Sequence, residues 1–285
     1  RLQKQRRDEC GDDKPWFLTV SFHSPHPPFV PAGKYLEDYW DHRQELFVSP
    51  NFYDDMKNSA YDPITKQIPE YGNATKIREW IALYYALISE VDDWVGQLLD
   101  TLEEGDDGND AGTLIVFTSD HGEMLGAHKK RSKNNFYEES SRIPLLISFP
   151  RFIKKNTVIE ESVSHINVFS TILDYVGSPS HLDSSDGISL RPLIEKNSDK
   201  FNRDYDQDVV IAEWDYRMPL FEKNNNDLGL DRRIDERPSF MVRKGGYKIM
   251  MQKIAGSEQI DAMYDLKDDP FEMNNLLGKN AMSTT

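Results

Sequence analysis

Ile77, Ile81, Tyr84, Ile88, Val91, Val95, Leu98 and Leu102 follow one another by alternating steps of four and three. This spacing predicts one long amphipathic helix from Lys76 onward, stopped by the breaker cluster Glu104-Gly105-Asp106-Asp107-Gly108-Asn109-Asp110. Ahead of it, residues 16–22 (WFLTVSF) form a compact β-branched and aromatic run. They predict a buried strand that enters the proline-locked loop His23-Ser24-Pro25-His26-Pro27-Pro28. Residues 113–118, 145–149 and 209–213 predict further strands, and residues 166–175 a second helix. Strand, long helix and strand make the parallel crossover unit, so the expected class is α/β: a mixed, largely parallel sheet sandwiched by helices. Residues 33–75 lack a sustained period and predict a surface excursion with short helices at most.

Beyond Arg217 the texture changes to an Asn- and Asp-rich stretch, then to short apolar runs at 239–243, 247–251 and 262–266. Gly245-Gly246 marks a hairpin between the first two. A small C-terminal antiparallel α+β subdomain is expected, closed by a helix begun near Pro270. The expected division is 1–15 as unstructured or linker, 16–216 as the α/β part and 217–285 as the antiparallel subdomain.

Composition narrows the function. The 285 residues carry 34 basic and 49 acidic side chains, a net charge of −15. That repels a polyanion, so nucleic acid is not an expected partner. No apolar run approaches the ~18 residues of a transmembrane span. The single cysteine, Cys10, excludes an internal disulfide framework and a multi-cysteine zinc site.

In open α/β sheets the ligand site lies off the carboxyl ends of strands. Asp120 and His121 follow the strand at 113–118, where an oxygen donor beside an imidazole can bind a cation; the plainer alternative is a capping Asp and a surface His. His128, Lys129, Lys130, Arg131 and Lys133 come next, a basic run that suits a small anion such as sulfate or phosphate, or else a solvated loop. His23 reads as strand-end packing, Asp92-Asp93 as a partly solvated pair on the long helix, and Trp80 and Trp94 as core.

The segment Phe117-Thr118-Ser119-Asp120-His121-Gly122-Glu123-Met124-Leu125-Gly126, with Lys133 and Phe136-Tyr137-Glu138-Glu139-Ser140-Ser141-Arg142-Ile143-Pro144-Leu145, resembles the type I sulfatases. So do residues 17–28, residues 163–177 with Asp186-Gly187 and Ser189-Leu190, and Tyr264-Asp265-Leu266 with Asp269-Pro270-Phe271-Glu272 and Asn275-Leu276. The resemblance runs from about Trp16 to Leu277 and implies an alkaline-phosphatase-like fold and hydrolysis of a sulfate monoester. It implies Asp120 and His121 as ligands of a divalent cation, calcium in most of the family, and Lys133 and His26 as the groups that hold sulfate. Either could also act in catalysis: Lys133 by neutralising charge on the leaving oxygen, His26 by protonating the leaving group. His128 is a candidate rim contact with substrate.

The family's Cys-x-Pro-x-Arg motif, source of its formylglycine nucleophile, is absent from these residues, as is the upstream Asp pair. Cys10 is followed by Gly11-Asp12-Asp13-Lys14 and does not fit, nor does Asp12-Asp13 serve as the metal pair. The resemblance therefore implies a C-terminal portion, inactive alone, with the nucleophile supplied from a segment ahead of Arg1. Asn167 stands where the family usually has Asp. The alternatives are a phosphonate or phosphodiester hydrolase of the same superfamily, and a non-catalytic homologue that binds a sulfated ligand. The expected partner is a small or glycan sulfate ester. The family's habits, with the sequon Asn73-Ala74-Thr75, point to a secretory, lysosomal or extracellular setting.

Overall fold

The computed structural model describes residues 15–53, 73–104, 112–178, 185–195, 209–214, 239–254 and 257–278. Cys10, Asp12, Asp13, the breaker cluster at 105–110 and the polar stretch at 222–231 lie outside the described residues. The chain divides into two compact units, Arg1–Val48 with Asn73–Thr113, and Ser49–Gly72 with Leu114–Thr285.

Among its described residues the first unit is built on two helices, α1 (Gly33–Asp41) and α2 (Ala74–Glu104). The long helix is the one predicted from the 3–4 spacing, entered through Asn73, whose Oδ1 accepts the Thr75 N–H at 2.9 Å. Ile77, Ile81, Ala82, Ala86 and Leu87 bury its first half. Tyr39 reaches Ser89 Oγ at 2.9 Å and packs its ring edge on Tyr85, while Tyr35 donates to Asp93 Oδ2 at 2.6 Å. Positions four apart on each helix thus meet in opposite chain order, so α1 runs antiparallel to α2. Asp93 also receives Lys34, and these two donors hold its carboxyl below the usual range. The Asp92-Asp93 pair is exposed. Trp94, expected in the core, is 51% exposed.

Residues 16–22 carry no strand ladder among the described residues, and Phe17 is 76% exposed. The expected buried strand is not formed here. β-Branched and aromatic composition favours an extended chain, but burial comes from neighbours on both edges.

In the second unit, β1 (Ile115–Thr118) pairs antiparallel with β2 (Leu145–Ser148). Between them lie a 3-10 turn at Ala127–Lys129 and the short helix α3 (Glu138–Ser141). Helix α4 (Ile166–Tyr175) has the predicted bounds, and α5 (Arg191–Ile194) follows it. Asn167 ties the start of α4 to the residues just before it and to the segment that leads into α5. Its Oδ1 accepts the Ser164 N–H at 2.8 Å and its Nδ2 donates to the Ile188 carbonyl at 3.1 Å. An amide can do both, whereas an ionised carboxylate only accepts.

Strands β3 (Val209–Trp214), β4 (Ser239–Lys244), β5 (Tyr247–Ile254) and β6 (Ser257–Asp265) form one antiparallel sheet in that order. The strand expected at 209–213 to extend the α/β alternation belongs instead to this C-terminal sheet. Both sheets among the described residues are antiparallel. The hairpin at Gly245-Gly246 is as expected, with Gly245 at φ 54°. The helix expected from Pro270 is absent among the described residues. Asp269 takes the N–H groups of Met273 and Asn274 into its carboxylate, and Glu272 sits at φ 52°, outside helical space.

Cross-strand neighbours Ala212, Met241, Met250 and Ala262 make a row along one face of the sheet. With Tyr264 they close on Met124, Ala127, Phe136 and Tyr137 to form the core of this unit. The connection between β1 and β2 is therefore packed directly on the C-terminal sheet.

Asn167→Ala should lower the unfolding free energy by roughly 1–2 kcal/mol, by loss of its bonds to the Ser164 N–H and the Ile188 carbonyl. Asn167→Asp keeps the acceptor alone and should lose less, as read from denaturant midpoints.

Candidate functional site

At the carboxyl end of β1 the chain turns sharply. Ser119 Oγ donates to the His121 carbonyl at 2.7 Å, and Asp120 Oδ1 accepts the His121 N–H at 3.0 Å. His121 Nδ1 lies 2.8 Å from the Gly122 carbonyl and donates to it, which in the neutral ring leaves the Nε2 lone pair for a cation. That nitrogen sits 3.5 Å from Asp120 Oδ2, and the Asp120 side chain is 82% exposed. Two donors at this separation fit adjacent positions around one ion with ~2.4 Å bonds. Among the described residues they supply part of the six to eight donors a hard dication takes.

Gly122 is where this turn meets α3. Its N–H donates to the Ser140 carbonyl at 2.8 Å, and a Cβ there would lie 2.0 Å from the Glu139 carbonyl oxygen. Only glycine admits that approach.

The basic segment after it is a strained, pinned loop. Leu125, His128, Lys129, Ser132 and Asn134 all have positive φ, between 40° and 75°. Glu123 closes the loop, its Oε1 accepting the N–H groups of Leu125 and Ser132, while Met124 N donates to the Ser132 carbonyl at 2.9 Å. Lys133 follows directly and is half-buried. Non-glycine residues held in such conformations cluster at working sites. Lys130 is buried rather than solvated.

His128 is not at a rim. It is 1% exposed, with its ring stacked 3.8 Å from that of Tyr137. Burial, then the charges of Lys130 and Lys248, push its pKa down to about 3 against the pull of the Phe271 carbonyl. The rim contact expected of His128 gives way to a buried ring stacked on Tyr137.

Behind α3 lies a buried ionic cluster. The Lys248 ammonium, 0% exposed, donates to Glu138 Oε1 at 2.8 Å and lies 2.9 Å from Glu272 Oε1. Arg243 reaches Glu138 Oε2 at 3.3 Å. Asn51 donates to Glu139 Oε1 at 2.7 Å and to the Phe271 carbonyl at 3.1 Å. Burial raises Glu138, but Lys248 and Arg243 more than offset it and its pKa is lowered. Burial raises Glu139, and raises Glu272 to about 7 against Lys248. His128, Glu139 and Glu272 each bring a donor atom within 4.8 Å of the others, a group that could hold a metal ion. Lys248 beside Glu272 already supplies a positive charge there.

His26 belongs to the first unit. It lies in a turn closed by its N–H to the His23 carbonyl at 3.0 Å, its Nδ1 is 2.8 Å from the Pro27 carbonyl, and its ring packs edge-on against His23. Asp120, His121 and Lys133 lie in the second unit, the first two side by side. Glu123, Gly122, Lys248 and Glu272 had no assigned role from the sequence. Gly122, Glu123 and Glu272 stand within the motifs that carry the resemblance, and Lys248 stands two residues from Met250 on the inward face of β5.

The sulfatase family model matches residues 8–178, and the model described as N-sulphoglucosamine sulphohydrolase, C-terminal, matches residues 126–285. The chain belongs to the sulfatase family, within the alkaline phosphatase superfamily, and that family is metal-dependent. It is 31% identical to the multifunctional alkaline phosphatase superfamily protein PehA of Trinickia caryophylli, over 95% of this chain and 53% of that protein. It is 26% identical to arylsulfatase K of Canis lupus familiaris, over 96% and 50%. The crystal structure of the phosphonate monoester hydrolase of Agrobacterium radiobacter superposes with a TM-score of 0.70 at 25% identity, over 97% of this chain and 55% of that one. The fold is thus alkaline-phosphatase-like, as expected. The chain spans about half the length of the curated relatives it matches.

Two outcomes follow. An unfolded chain protonates His128 near 6.5 while the folded one resists until about 3, so the unfolded state binds the extra proton between these values. Stability should therefore fall as pH drops through that window, by on the order of 3–5 kcal/mol, and His128→Gln should flatten the slope in thermal unfolding against pH. Glu123→Ala should release the loop, seen as faster tryptic cleavage at residues 129–133 than in the parent protein.

Proposed function

We propose that the complete protein is a sulfuric ester hydrolase that cleaves a sulfate monoester. The single observation that carries this reading is the Asp120–His121 pair at the end of β1, with Oδ2 and Nε2 3.5 Å apart, at the start of the pinned basic loop. Asp120 and His121 would hold a divalent cation. Asp120, a hard oxygen donor, favours calcium; His121 is a softer ligand. When bound, the cation supplies positive charge to the sulfate oxygens and to the nucleophile.

Lys133 neutralises charge that builds on sulfate and on the leaving oxygen, acting as a point charge. The Glu123 clamp fixes the backbone directly ahead of it. His26 would donate a hydrogen bond to sulfate or protonate the departing oxygen. Its assignment rests on the resemblance of residues 17–28. The substrate class is a small or glycan sulfate ester. Similarity to a phosphonate monoester hydrolase favours a second reading, hydrolysis of a phosphonate or phosphodiester by the same anion site. Turnover of aryl sulfate against aryl phosphonate by the complete protein separates the two.

Asp120→Ala should lose cation and activity together, by metal analysis and sulfate release; an unchanged metal content overturns the ligand assignment. Lys133→Ala should cost about 3 kcal/mol of transition-state stabilisation, roughly a hundredfold in turnover. A mild effect would place Lys133 outside the reaction.

A further inference from the structure

Helix α3 has four residues, too few to hold its own conformation. Its N-cap position, Tyr137, makes no side-chain cap. The Glu138 N–H donates instead to Glu272 Oε2, at 2.6 Å, from 134 positions further along the chain. Lys248 then joins Glu272 to Glu138, and lies 3.4 Å from Ser141 Oγ at the other end of the helix. The Ser140 carbonyl of α3 accepts the Gly122 N–H, and the Glu139 carbonyl lies so close to Gly122 that no Cβ fits between them. Gly122 in turn accepts His121 Nδ1 and so sets which way Nε2 faces.

We propose that Glu272, with Lys248 and Glu138, is a positioning residue: it caps α3 from the C-terminal segment and thereby holds His121 and Asp120 in place to bind the cation. The inference rests on the cation-binding reading above. Removing one partner of a buried charge cluster is costly while an apolar substitute for the whole is often as stable, so stability alone does not call for charges here. Orientation does, because a capped helix with two charged tethers has one seat, and groups behind metal ligands typically change metal affinity ten- to a hundredfold.

The test uses the complete protein, stripped with a chelator and titrated with Ca2+ by calorimetry, with thermal unfolding in parallel. Glu272→Ala should weaken Ca2+ binding roughly ten- to a hundredfold. Glu272→Gln, which keeps an oxygen for the Glu138 N–H, should restore most of it. If Glu272→Ala lowers the melting temperature yet binds Ca2+ within about twofold of the parent, the residue is merely structural and the proposal fails. Should Glu272→Ala not fold, Glu138→Gln decides by the same criterion. A parent protein that takes up no Ca2+, or an Asp120→Ala variant that binds it equally well, would instead overturn the cation-site reading.

Discussion

A lysine ammonium with no solvent exposure, set against Glu138 and Glu272, lies where the C-terminal sheet meets the loops that follow β1. Each charge would be costly to bury alone, and their mutual proximity offsets much of that cost only in one geometry. The backbone of α3 is held from behind by this cluster, and Gly122 is held in front by α3. The Asp120–His121 turn therefore inherits its orientation from residues more than a hundred positions away. The apolar part of the interface, Met241 and Met250 on Met124 and Tyr137, supplies burial of about 1.5–3 kcal/mol per side chain but no comparable directionality.

Much of this fold is readable in the chain because it depends on local period. The four-three step of Ile77 to Leu102 needs only one apolar face, and the glycine pair at 245–246 needs only a tight turn. Residues 16–22 show where such reading ends. Their composition prescribes an extended backbone, yet a strand is buried by its neighbours, and none pairs with it among the described residues. The same limit explains Val209–Trp214, whose apolar run suits either sheet and whose partner, Ser239–Lys244, is fixed only by the fold. Near Pro270, helix propensity yields to Asp269, whose carboxylate offers the next N–H groups a competing bond.

For the site, legibility follows chemistry rather than period. Asp120 and His121 are adjacent in sequence, so a strand end and two donor types suffice to mark them. His128 has the residue type of a ligand contact and the neighbours of a core residue, and only the stacking on Tyr137 decides between them. Glu123 stands in a motif that does not disclose its role, because the role is to bridge two N–H groups seven residues apart, Leu125 and Ser132.

Lys248 is the harder case, and it shows what a charged residue on an inward strand position means. It lies two residues from Met250 on β5, and period two sends both side chains to the same face. An apolar residue there would satisfy the sheet, and a core of that kind would leave α3 free to slide on a greasy surface. A lysine cannot be placed so without acidic partners at hydrogen-bond range, and here they are Glu138 at the start of α3 and Glu272 on the segment that caps it. The alternation of β5, read together with the Glu-Glu of Glu138-Glu139 and the Glu272 of the C-terminal motif, thus holds the information for a buried charge cluster. It becomes legible only once the sheet is known to face the helix.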